Sequence, residues 1–205
     1  MSRPASIPSL TANRSTHSVV YPLDEFYGQA ARPLPRIETI QAADLPEPSR
    51  SLLVHDSDMT STLEKFHAHP LHLELLRMQR AGKLYFREVI LVLNATGLPV
   101  EFGAITIHLE RFDPASRKLI LEGIIPLGRI LNESGVGYTS HPEAFLKIQA
   151  DDFISRALKI PGQPELFGRR NTLRNYRGEP LAEIVEILPP SRAIAGGNGN
   201  PGDDR

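Results

Sequence analysis

Residues 84–112 read LYFREVILVLNATGLPVEFGAITIHLERF, two apolar runs on either side of Asn94-Ala95-Thr96-Gly97. Asn and Gly accept the backbone conformations that tight turns require, so the stretch is expected to fold back as a long β-hairpin. Side chains alternate across a strand. Tyr85, Arg87, Val89 and Leu91 therefore share one face, and Phe86, Glu88, Ile90 and Val92 the other. Both faces are largely apolar, which predicts a central strand covered on both sides. Arg87 then becomes the informative residue. A buried guanidinium needs an anion, because an unpaired charge is costly to remove from water. That anion is either a carboxylate of the chain or a ligand.

Toward the C-terminus, ELFGRRNTLRNYRGEPLAEIVEILPP (165–190) is expected to form a second hairpin turning at Tyr176–Glu179. Its first arm carries Arg169, Arg170 and Arg174, which suit either a solvated edge strand or an anion. Gly168 permits a close backbone approach. In the second arm Ala182, Ile184, Glu186 and Leu188 share one face, and Leu181, Glu183, Val185 and Ile187 the other. Whichever face is inward buries a carboxylate, and a desolvated carboxylate is a candidate acid or base. Periodicity does not choose between Glu183 and Glu186.

Toward the N-terminus, Leu71–Gln79 alternates as a strand. Residues Ser51–Pro70 read as a short strand entering a helix, with Asp56, Ser57 or Asp58 as N-cap and a capping box at Ser61-x-x-Glu64. Met59, Leu63 and Phe66 fall on one face of that helix. His55, His67, His69 and His72 match no metal-ligand spacing, so no metal is expected. The proline-rich segment 19–50 predicts one or two helical turns over Tyr21–Gly28, then an extended surface lead-in. Residues 113–119 read as a polar loop. Pro126 suits the start of a helix that Gly135 ends, which would aim the free amides of Leu127 and Gly128 at an anion. Glu143–Gln149 is expected to be a strand and Asp151–Lys159 a short helix.

The 205 residues allow one domain of ordinary size, taken as 19–190, between a disordered tail at 1–18 and a flexible one at 191–205. A formal net charge of −1 gives no reason to expect nucleic acid or an acidic membrane as a partner. Cysteine is absent, which excludes disulfides, thiolate metal sites and a cysteine nucleophile. No apolar run has membrane-spanning length and the N-terminus lacks the apolar core of a signal peptide, so a cytoplasmic protein is expected.

Six short motifs, taken in order, carry a resemblance. They are Asp56-Ser57-Asp58-Met59-Thr60, Arg87-Glu88-Val89, Ile125-Pro126-Leu127-Gly128, Gly168-Arg169-Arg170, Gly178-Glu179-Pro180-Leu181 and Glu186-Ile187-Leu188-Pro189. Together, over roughly Leu52 to Pro190, the chain resembles the chorismate pyruvate-lyase family, most nearly a lyase-like bacterial branch of that superfamily. The resemblance implies an α+β domain, with an antiparallel sheet of about six strands and helices packed on one side. It also implies a carbon–oxygen lyase that eliminates pyruvate from chorismate to give 4-hydroxybenzoate, with no cofactor and no metal. Under it Arg87 would grip the ring carboxylate bidentately, and Glu186 would meet the C4 hydroxyl or accept the C4 proton. Main-chain contacts fall on Met59 and Leu127, with Gly128 beside them, and Arg169 or Arg170 would hold the enolpyruvyl carboxylate. The chain departs from the family where an arginine directly follows the glycine of the second hairpin strand, for it has Gly103-Ala104. The alternatives are therefore a related enzyme acting on another carboxylated ring or enol ether, and a non-catalytic domain that binds an aromatic carboxylate.

Overall fold

The computed structural model describes residues 18–190. The expected tails lie outside them, apart from Ser18. The hairpin forms as the sequence predicts, with β3 (Leu84–Leu93) and β4 (Pro99–His108) paired so that Arg87 faces Ile105 and Val89 faces Gly103. The second hairpin, β6 (Glu165–Asn175) and β7 (Pro180–Leu188), docks against it through pairs such as Gly103 with Glu186. With β1 (Ile37–Ile40), β2 (Leu71–Ala81) and β5 (Tyr138–Gln149), they make one antiparallel sheet of order β1-β5-β6-β7-β4-β3-β2.

The α+β class is as expected, and the sheet has seven strands. The additional one is β1, drawn from what reads as an extended lead-in; it is only four residues long and is held by pairing with β5. The β3 strand is buried on both faces, although it lies one place in from the β2 edge.

The main helical layer packs on one face of the sheet. It comprises α2 (Ser49–Leu53), α3 (Met59–His67), α4 (Pro114–Glu122) and α5 (Leu127–Ser134). Met59 and Leu63 of α3 are buried against Leu73, Val89 and Leu91, whereas Phe66 stays exposed. Asp58 is the N-cap of α3, accepting from the Ser61 amide at 2.8 Å. Glu64 does not close a capping box; it accepts from the Leu71 amide and pairs with Arg129.

Two segments differ from expectation. Where a strand is predicted after Ser51 the chain is already helical, because α2 turns Leu52 and Leu53 into the core together. The polar stretch 113–119 is the start of α4: Asp113 caps it through the Ala115 and Ser116 amides, Pro114 takes the first turn, and Ile120 is buried.

Two short helices, α1 (Leu23–Gln29) and α6 (Asp152–Ala157), close part of the opposite face. There Phe26 meets Phe86 edge-on at 6.4 Å and Phe153 meets Phe102 at 5.8 Å. Edge-to-face pairs of this kind add about 0.5–1.5 kcal/mol each beyond what area burial provides.

Candidate ligand-binding cavity

Alternation along β3, β4 and β7 aims Arg87, Val89, Glu101, Gly103, Ile105 and Glu186 into one cavity. Its roof is built by two helix starts, Asp58-Met59-Thr60 at α3 and Pro126-Leu127-Gly128 at α5. About 520 Å³, counting the open solvent at its mouth, is free of protein atoms.

Arg87 is 1% exposed, and no described protein atom accepts from its Nε or Nη1. Burial pulls the guanidinium down to about 10, opposed only by Tyr85; it remains a cation at neutral pH. Of the two readings of Arg87 open from sequence, no described carboxylate pairs with it.

Glu186 lies two strands across and two residues along, roughly 12 Å away by strand spacing and rise. Its carboxylate is taken by Arg169 Nε. The rest of the Arg169 guanidinium donates to the Leu53 and His55 carbonyls at 3.0 Å each and to the Ser57 carbonyl at 3.3 Å. Arg169 is thus spent on the chain itself: it seats Glu186 and ties down the loop before α3. His55, beside it, is pushed down by burial and by the Arg169 charge.

Arg170 is placed elsewhere. One residue on in β6, it points to the opposite face, where it reaches Glu183 at 3.5 Å and donates to the Asn171 carbonyl at 2.8 Å. Ala104 also faces that side, in the core with Phe102 and Val185. Its small side chain therefore does not shape the cavity, which removes the reason it offers for a different ring substrate. Met59, Leu127 and Gly128 do line the cavity, and α5 has no side-chain cap on its first amides.

Sequence reasoning missed Glu101. It is 4% exposed, with Oε2 lacking a protein partner, and burial beside Glu186 holds its carboxyl well above the usual range. The signal was present: Glu101 is a lone charge in an apolar strand, the same anomaly that marks Arg87. Asp58, an expected N-cap and part of the first motif, also accepts from Asn132 at 3.1 Å, joining α3 to α5, and from Tyr138 of β5 at 3.3 Å.

No protein-family model matches the chain, and none of the curated proteins does. Solved structures do. PhnF from Mycobacterium smegmatis superposes with TM-score 0.54 at 12% identity, over 68% of this chain and 66% of that one. The effector domain of PhnF gives 0.52 at 11%, over 66% and 90%. A GntR-family transcriptional regulator from Bacillus cereus gives 0.44 at 12%, over 59% and 92%. The match thus spans about two thirds of PhnF and nearly all of its effector domain.

The fold is the chorismate lyase-like one that the PhnF effector domain also has. The expectation of a carbon–oxygen lyase is corrected by this finding: the structures that match are PhnF and its effector domain, and not a lyase. Among the described residues no helix is long and apolar enough to cross a membrane.

Proposed function

We propose that this domain senses a small molecule carrying a ring carboxylate, held in the cavity by a bidentate pair with Arg87. One observation carries the reading. A fully buried guanidinium with two donors lacking a protein acceptor is a destabilising feature of the fold, and an anionic ligand supplies the acceptor it lacks. The amides of Leu127 and Gly128 at the uncapped start of α5 add neutral donors to the same ligand. Arg169 acts by holding Glu186 in place and makes no ligand contact of its own; Arg170 supports the opposite face. The expected lyase residues Arg87 and Glu186 are thereby reassigned to binding. The matching regulator effector domains support a sensing role for such a cavity.

The test is titration calorimetry of the purified chain with benzoate and 4-hydroxybenzoate, against benzyl alcohol as the neutral control. Saturable binding of the carboxylates, absent for the alcohol and lost in Arg87→Met, is expected. Equal binding by wild type and Arg87→Met would sink the reading.

A further inference from the structure

Glu101 has no part in the ion pairs of the site. It stands on β4 two residues from Gly103, and Gly103 pairs with Val89 on one side and Glu186 on the other. Because Gly103 lacks a side chain, the Glu101 carboxyl leans back over it. A Cβ at Gly103 would lie 3.3 Å from Glu101 Oε1 and 3.1 Å from Val89 Cγ2. The carboxyl therefore occupies the cavity floor beside Glu186, away from Arg87 along the strand direction. Its Oε2 is buried without a protein partner.

We propose that Glu101 is a second ligand anchor, donating a hydrogen bond to an uncharged oxygen on the part of the ligand remote from Arg87. The inference rests on the ligand-sensing role proposed above and specifies the ligand further. The charged and titratable groups facing Glu101 are Glu186 from β7, Arg169 from β6 and Asp58 from the start of α3. Arg169 is already neutralised by Glu186 and by three carbonyls. A second anion beside Glu186 is left without a cation of its own, so Glu101 keeps its proton and acts as a donor. An anionic group on the ligand at that end would lie beside Glu186 with no cation left to pair it, Arg169 being taken already. The cavity then selects monoanions, one carboxylate at Arg87 and a hydroxyl, ether or carbonyl oxygen at Glu101, over dicarboxylates.

The experiment compares wild type, Glu101→Gln and Glu101→Met with three probes: benzoate, 4-hydroxybenzoate and terephthalate. Glu101→Met is expected to weaken 4-hydroxybenzoate about tenfold, the scale of one hydrogen bond, and to leave benzoate unchanged. Glu101→Gln, which keeps a donor, should retain the preference for the hydroxy acid. Terephthalate should bind wild type more weakly than benzoate does. As pH rises above the ordinary carboxylate range the wild-type preference should fall as Glu101 ionises, and that of Glu101→Gln should stay flat. Carboxylate binding that ignores Glu101, or a loss of benzoate and 4-hydroxybenzoate alike in Glu101→Met, overturns this inference alone. Failure of wild type to bind any of the three overturns both it and the sensing role.

Discussion

Arg87 and Glu101 are each unfavourable to the fold and each lines the cavity. Groups that cost stability persist where they serve a site. Replacing Arg87 with Met keeps most of its length and removes a desolvated charge, so Arg87→Met is expected to raise the free energy of unfolding by about 1–4 kcal/mol while abolishing carboxylate binding. A urea midpoint below that of wild type would show that the guanidinium is satisfied within the protein. Glu101 makes a prediction of the same kind in pH. Its carboxyl keeps its proton in the folded chain well above the ordinary value of 4.5, to which it returns on unfolding. Above that value unfolding releases a proton, so stability falls as pH rises toward the folded value. Glu88, raised in the same direction by burial, adds to the slope. Glu101→Gln should flatten part of the decline in melting temperature as pH rises above about 4.5; an unchanged slope would mean that Glu101 ionises freely.

The elements that hold these residues are set by backbone proximity as much as by apolar pattern. At Gly168 of β6 a Cβ would overlap the Glu186 carbonyl of β7, and a backbone atom has nowhere to move. Gly168→Ala is therefore expected to cost about 3 kcal/mol or more, read as a drop in the urea midpoint. At Gly128 a Cβ would instead strike the Asp58 carboxylate, which caps α3. Alanine improves helix propensity by about 1 kcal/mol, so a net loss in Gly128→Ala would report the α3–α5 contact directly. The hairpin of β3 and β4 was legible because two long apolar runs flank a turn cluster. By contrast β1 is four residues among prolines and exists through its partner strand, and α4 hides under a polar sequence whose buried positions, Ser116 and Ile120, depend on tertiary packing. Glu183 and Glu186 were equivalent by periodicity. Only the sheet order decides that Glu186 faces the cavity while Glu183 turns to His108 and Arg170.

Across the molecule, floor and roof differ in how they are held. The floor strands sit inside continuous ladders, β3 between β2 and β4 and β7 between β4 and β6. The roof helices α3 and α5 are short, and side chains tie them to each other, Asp58 to Asn132 and Glu64 to Arg129, while Tyr138 of β5 donates to Asp58 as well. Local opening favours the part with fewer buried backbone bonds. Since Arg87 is 1% exposed, under the proposed sensing role a ligand would reach it by parting the roof and not the sheet. Hydrogen exchange should then slow chiefly in residues 58–67 and 126–134 when 4-hydroxybenzoate is added, with β3 and β4 amides protected in both conditions. Ligand at a hundredfold excess over its dissociation constant should add about 2.7 kcal/mol to stability, raising the melting temperature of wild type but not of Arg87→Met. Protection spread evenly over the sheet would place the path through the floor and contradict the roles given to α3 and α5.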